Sequence, residues 1–285
     1  MTYTGIVHGL PDTAYHAAAG LSSTGAKKLL KSPAHFAWSL SHPQEPKAEF
    51  DVGTATHSRV LGVGSQVEVY PDDVLAKNGS TNTNAAREFE EACRAEGKIP
   101  LKKVQYNVVR LMSESVLAHP IARALLEQKA GRPEVSVFAR DTEFEIDVRC
   151  RFDFLGDIAV DLKTTSGEAS PEGFARSVAS FGYDVQQAHY RHTHELVTGE
   201  APRFIFVAVE AAAPYLTSVN VLDEDFSRIG IAKARRAREL YAEGVHSGTW
   251  PGYSQEIGIC RPPVYSIYEF QDKYEAVGVQ ERVVH

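Results

Sequence analysis

The sequence predicts a mixed α/β domain, with a central sheet flanked by helices and a helical N-terminal part packed on it. Three observations carry this. Apolar and polar residues alternate through three consecutive segments between Glu134 and Thr164, as a meander of strands requires. Helical patterning with capping residues fills most of the chain before them. Two helices, two further strands and a long charged helix follow.

Taken in order, residues 1–20 hold Gly5, Gly9, Pro11 and Gly20 and read as irregular. Leu21-Ser22-Ser23-Thr24 opens a helix that runs through Lys31, with Ser22 or Ser23 as its N-cap. Ser32-Pro33 stops it and starts a second helix, Ala34 to Leu40, since proline suits a first turn. His42-Pro43-Gln44-Glu45-Pro46 is a loop, and Phe50 to Leu61 a helix with an apolar stripe. Residues 62–84 read as a mobile excursion, with a flexible tip from Lys77 to Asn84. Helices are expected over 85–96, 103–118 and 120–129. Strands follow at Glu134–Arg140, Glu143–Phe154 and Ile158–Thr164, then helices at Pro171–Ala179 and Tyr183–Leu196. Phe204–Val209 and Thr217–Val221 are two more strands, and 224–245 is an Ala- and Arg-rich helix. This gives one domain over 1–250: a helical part (1–130), a sheet core (131–222) and a C-terminal helix (223–248). An extended tail, 251–285, ends in Glu281-Arg282-Val283-Val284-His285.

A chain of 285 residues, 43% apolar and 24% charged, can bury a full core without staples. No apolar run approaches 18 residues, so no membrane span is expected. Met1-Thr2-Tyr3-Thr4-Gly5 lacks the basic and apolar regions of a signal peptide. Cys93, Cys150 and Cys260 form no C-x-x-C pair, which argues against zinc-ribbon and iron–sulfur sites and fits a reduced, cytoplasmic location. The net charge of −7 argues against broad DNA coating but leaves room for a local basic channel. There is no G-x-x-x-x-G-K-[ST] loop and no G-x-S-x-G elbow, so neither an ATP-driven motor nor a serine hydrolase is supported.

The chemistry concentrates between Asp153 and Lys163. Two strands joined by a tight turn at Gly156-Asp157 put Asp161 and Lys163 on one face, and a hairpin can bring Asp153 beside them. Two carboxylates and a lysine on one polar patch suit a divalent cation and an activated water. Asp-x-Lys alone is met more often in exposed hairpins, so the neighbouring text matters. Gly53-Thr54-Ala55-Thr56-His57 lies on a helix, with Gly53 permitting close approach. Glu134 opens the strand before the hairpin. Gln186 and Tyr190 stand at i,i+4 on one helix face, a spacing that selects Gln186 over Gln187.

The order Gly-x-x-x-His, Glu, Asp, Asp-x-Lys, Gln-x-x-x-Tyr resembles the PD-(D/E)XK nuclease superfamily in its RecB-like branch. Within it, the chain is most similar to phage and prophage RecE-type exonucleases (exodeoxyribonuclease VIII), relatives of lambda exonuclease. Tyr15-His16, Leu21-Ser22-Ser23-Thr24 and Leu29-Leu30-Lys31-Ser32-Pro33-Ala34-His35-Phe36 resemble that group's N-terminal segment, so the likeness covers roughly residues 12–220. It implies a restriction-endonuclease-like core. It also implies Mg²⁺, with Mn²⁺ able to substitute, held by His57, Asp153, Asp161 and the main-chain carbonyl of Leu162. Lys163 would orient the water, Glu134 would serve as a supporting or second-metal group, and Gln186 and Tyr190 would support the site. Phe152 stands where the motif's literal proline would be. The activity implied is 5′-to-3′ degradation of linear double-stranded DNA, leaving 3′ single strands for a strand-annealing partner in recombination. A homo-oligomeric ring around DNA is implied too, in a bacterial host cell if the chain is phage-encoded. A nuclease of other polarity or substrate, or a non-catalytic DNA-binding module on the same fold, stays open at this point.

Lys27, Lys28, Lys31, Arg149 and Arg151 could neutralise phosphates near a cleft, whereas Lys233, Arg235, Arg236 and Arg238 read as a solvated face. Phe36 and Trp38 suit core packing better than a strand-separating wedge. His189, His192 and His194 share a helix but not a zinc-helix spacing.

Overall fold

The computed structural model describes residues 3–42 and 48–274, the side chains of 48–50 apart. Most of the 42–46 loop and the ending Glu281 to His285 therefore lie outside the described residues. In chain order the elements begin with β1 (Gly5–Val7), α1 (Asp12–Ala17), α2 (Ser23–Lys31), α3 (Pro33–Ser41) and α4 (Ala48–Leu61). Next come β2 (Val67–Val69), α5 (Asn84–Ala95), β3 (Ile99–Leu101), α6 (Lys103–Ala118) and α7 (Pro120–Leu126). The sheet core is β4 (Arg132–Asp141), β5 (Ile146–Leu155), β6 (Ile158–Thr165), α8 (Pro171–Phe181), α9 (Tyr183–Thr198), β7 (Arg203–Glu210) and β8 (Thr217–Asn220). α10 (Glu224–Ser247) and α11 (Val264–Lys273) are the last elements among the described residues.

Capping chemistry sets several helix starts. The Ser22 hydroxyl accepts the Gly25 N–H at 3.2 Å, so Ser22 rather than Ser23 is the N-cap of α2. Thr83, Ser170 and Asp223 do the same for α5, α8 and α10. Among the described residues the central sheet has six strands in the order β1-β4-β5-β6-β7-β8. Neighbours are antiparallel except β6 and β7, which run parallel over the whole of β6. The α8–α9 pair makes the crossover that such a parallel pair needs.

Both sheet faces are covered, and the period-two pleat sorts the side chains between them. Val160, Leu162, Val207 and Val209 pack on Val60 of α4, Met112 and Val116 of α6, and Leu125 of α7. Their alternates Ala159, Phe204, Phe206 and Ala208 pack on Phe174 and Val178 of α8. Ile146 and Val148 join Leu29, Phe36, Val185 and Ala234, which ties α2, α3, α9 and α10 to the far end of β5.

Four expectations need correction. The stretch expected to be irregular is ordered over residues 3–20: β1 pairs antiparallel with β4, and Tyr15 of α1 is buried. The partners that order them, Arg149 and Arg151, lie far along the chain, where local propensity cannot see them. The 62–84 excursion contains β2, which pairs parallel with β3 and covers Ala55 and Val109 together with it. Trp38 is 66% exposed and stacks on His42 with ring centroids 3.6 Å apart, while Phe36 does enter the core. The final stretch, expected to be extended, carries α11; Tyr265, Tyr268 and Phe270 lie on it, all exposed, in a compact unit that begins at Gly252. Among the described residues no helix is long and apolar enough to cross a membrane.

The three histidines of α9 serve separate structural bonds. His189 is fully buried with Nε2 3.0 Å from the Arg149 carbonyl, His192 meets Asp141 at 3.0 Å, and His194 meets the Glu200 carbonyl at 2.9 Å. Burial pushes His189 down from 6.5 to about 4, so it is neutral in the fold. A depressed histidine favours the native state above its unfolded pKa, and that contribution is lost as pH falls from 6.5 towards 4. Between about pH 7 and pH 5 His189 accounts for a loss of ~2 kcal/mol in unfolding free energy. The His189→Gln variant is expected to shrink the pH dependence of urea unfolding by that amount. An unchanged slope would contradict a buried neutral imidazole.

Candidate active site

The site forms where β5 and β6 part. Their ladder holds only Phe154↔Val160 and Leu155↔Ala159, and the next position in this register would pair Asp153 with Asp161. There the ladder stops. The Asp153 carboxylate accepts the Leu162 N–H at 2.8 Å, in place of a strand–strand bond. The same position is irregular on β4. Glu134 has φ 50° and no ladder partner, although the register is continuous on either side of it. β5 also breaks its alternation here: Phe152 and Phe154, two residues apart, pack on opposite faces of the sheet. The simple alternation expected for β5 therefore ends at Asp153. On the far side of the fork Leu21 bridges to Val148, and its N–H donates to the Asp147 carbonyl at 2.8 Å.

His57 reaches this fork from α4, with Nδ1 3.4 Å from the Asp153 carboxylate. α4 can approach because residue 53 is glycine: a Cβ there would stand 3.2 Å from Thr164 Oγ1 of β6. Burial pulls the His57 pKa down; Asp153 pushes it up, Lys163 lowers it, and the Leu162 carbonyl beside it raises it. His57, Asp153 and the Leu162 carbonyl are thus neighbours.

Asp161 is 1% exposed on the opposite side of β6 from Leu162. Its Oδ1 accepts a 2.6 Å bond from Gln186 Nε2 of α9. Its Oδ2 is paired with the Lys163 ammonium, its donor there. Burial drives the Asp161 pKa up, and Lys163 draws it back. Burial likewise works against the charged form of Lys163, but Asp161 and Asp153 outweigh it and raise its pKa. The Lys163 ammonium also sits 4.8 Å over the Tyr183 ring. Tyr190 contributes packing: its ring meets Phe152 at 5.2 Å and Phe204 at 6.1 Å.

Glu134 lines a cleft of about 440 Å³ with Gly53, His57, Leu10, Asp12 and Arg151 among its walls. Burial, and then the Asp153 charge, lift its pKa to about 7. Arg151, expected to be free to neutralise phosphates, is 9% exposed and committed to protein partners. It lies 3.7 Å from Glu134 and 3.4 Å from Asp12, donates to the Leu10 carbonyl at 2.8 Å, and stacks on Tyr15. Arg149 donates to the Tyr15 carbonyl at 2.6 Å and also lies over the Tyr15 ring, 4.6 Å from its centroid. Both arginines fasten the N-terminal segment that walls the cleft.

The donors suit a hard divalent cation: carboxylate oxygens and a carbonyl fit Mg²⁺ or Mn²⁺, with one imidazole added. Among the described residues no three His, Cys, Asp or Glu side chains already form a cation cage. Two features account for this. One oxygen donor is main-chain, and the Lys163 ammonium is drawn onto Asp161 Oδ2. That buried oxygen is the atom over which a cation and the ammonium would compete. Of the expected residues, His57, Asp153, Asp161, Leu162, Lys163 and Gln186 come together; Glu134 stands at the cleft wall and Tyr190 beneath the site. Tyr183 escaped sequence reading, although its place three residues before Gln186 puts both on one helix face.

Removing Gln186 strips Asp161 Oδ1 of its donor. Gln186→Ala is expected to cost about 1–3 kcal/mol in urea unfolding. No loss would show that water replaces the amide and that Asp161 does not depend on α9.

The chain matches the family described as "PDDEXK-like domain of unknown function (DUF3799)" over residues 22–263. It is similar in fold to the crystal structure of a "Putative exonuclease" from Eubacterium rectale, with a TM-score of 0.57 and 14% identity, covering 94% of this chain and 100% of that one. No curated protein matches. The fork, the ordered motif residues and the family match over residues 22–263 agree: this chain belongs to the PDDEXK-like family DUF3799.

Proposed function

We propose that the chain is a divalent-cation-dependent exodeoxyribonuclease that degrades linear double-stranded DNA. The observation that carries this is the meeting of His57, Asp153, Asp161 and the Leu162 carbonyl at the β5–β6 fork, with Lys163 paired to Asp161. The 5′-to-3′ polarity, the 3′ single strands left for an annealing partner, a ring-shaped homo-oligomer and a cytoplasmic setting rest on the resemblance to RecE-type exonucleases. The exonuclease description of the Eubacterium rectale protein agrees with end-directed cleavage.

His57, Asp153, Asp161 and the Leu162 carbonyl would hold Mg²⁺ or Mn²⁺. Such a cation lowers the pKa of water and offsets charge on a phosphoryl oxygen. The side chains supply the rest. Lys163, raised in pKa by Asp161 and Asp153, is an ammonium at neutral pH and so donates rather than acting as a base. It orients the attacking water and stabilises negative charge as the phosphodiester opens in line. Gln186 fixes Asp161, and through it the ammonium. Glu134, the unpaired β4 position opposite Asp153, faces the site from the cleft wall. Tyr190 holds α9 against Phe152.

Linear duplex DNA carrying a label at its 5′ or 3′ end, incubated with Mg²⁺ beside a closed circle, tests this. The 5′ label is expected to be released first and the circle spared; cutting of the circle would overturn the exonuclease reading, and release from 3′ ends its polarity. Lys163→Ala is expected to retain DNA binding and lose roughly 10²–10³-fold in kcat. Undiminished cleavage by that variant would refute the assigned site, and activity that survives EDTA would refute the cation requirement.

A further inference from the structure

Lys27 is the one lysine of α2 that reaches the candidate site. Lys31 is exposed at the helix end, whereas Lys27 is half-buried with its ammonium 5.9 Å over the Tyr183 ring. That ring also carries the Lys163 ammonium, so the two cations share one aromatic support. The stem of Lys27 is set by Gly182, the left-handed residue (φ 65°) between α8 and α9. A Cβ there would stand 2.9 Å from Lys27 Cδ.

The carboxylates around it are already taken. Two buried carboxylates lie nearby, and each already has a lysine: Asp161 has Lys163, and Asp184 has Lys233 at 2.8 Å. Among the described residues Lys27 has no carboxylate within ion-pair distance. Lys163 and Lys233 are thus each held against a carboxylate, and Lys27 alone of the three ammonium groups is not. Burial and the charge of Lys163 both work against its ammonium, which lowers its pKa. A half-buried cation without a counter-ion costs stability, and a negatively charged ligand would relieve that cost.

We propose that Lys27 binds a backbone phosphate of the DNA strand held at Asp161 and Lys163. This rests on the nuclease reading and narrows it. α2, outside the motif residues, supplies a substrate contact on the Tyr183 side of Lys163, away from the cleft walled by residues 9–12. Lys28, Lys31, Arg149 and Arg151 have no part in it.

Steady-state degradation of linear duplex DNA with Mg²⁺, over a series of KCl concentrations, tests the assignment. Lys27→Met is expected to raise KM about tenfold with a smaller change in kcat, as loss of a charged hydrogen bond would. The slope of log KM against log salt should become shallower by about 0.7 to 0.9, one phosphate contact fewer. Lys27→Arg should restore both. Thermal melting checks folding, and Lys27→Gln replaces the methionine variant if that fails to fold. KM and salt slope equal to wild type would overturn the assignment and leave the nuclease reading intact. A fall in kcat with KM and slope unchanged would overturn it too. A wild-type chain without activity on any DNA would overturn the nuclease reading and this assignment together.

Discussion

The site depends on one substituted hydrogen bond, the Leu162 N–H donated to the Asp153 carboxylate. In a strand the N–H and C=O of a residue point to the same side. β6 runs parallel to β7 along its whole length, so its other edge is the one β5 would have paired. Because β5 diverges after two pairs, Leu162 presents both groups to an open fork. Asp153 takes the N–H, and the carbonyl is left beside His57. A full antiparallel ladder would have consumed both groups and pressed Asp153 against Asp161. Glu134, with φ 50° and no partner, loosens β4 at the same level and so leaves room for the fork.

The fork also fixes how charge is distributed. Asp153 is partly exposed beside His57, whereas Asp161 is buried towards α9. The two acids share a site but not an environment. Asp161 can remain useful as an anion only through Gln186 on one oxygen and Lys163 on the other. Lys163 is in turn confined between that carboxylate and the Tyr183 ring. Tyr183 and Gln186 both lie on the first turns of α9, so one helix sets the lysine and the acid together.

Much of this was legible in the sequence because it is local or periodic. The strand limits around Asp153 and Asp161, the capping serine of α2, and the i,i+4 pair Gln186 and Tyr190 follow from residue patterns over a few positions. What escaped reading is set by distant partners. β1 is three residues long and exists because β4 offers an edge. β2 needs β3, some thirty residues on. The premature end of the β5–β6 ladder leaves no trace in alternation, since Asp153 and Asp161 would face each other in a regular hairpin as well. Arg149 and Arg151 read as polar-face cations; only the fold reveals Tyr15 between them.

That reassignment matters for an acidic chain handling a polyanion. The arginines of the central strand are committed to carbonyls, to Tyr15 and to the carboxylates of Asp12 and Glu134, so they add little free positive charge to the cleft. The cleft side of the fork carries His57, Asp153 and Glu134, and burial and mutual repulsion already hold Glu134 near neutrality at about 7. The opposite side carries Lys163 and Tyr183. On the proposed reading this polarity orients the reaction. A cation is needed on the carboxylate side before phosphate can approach it, and the ammonium side receives phosphate without one. Asp161 joins the two sides, since it lies with Lys163 and yet would share the cation with Asp153 and His57 across the thickness of one strand.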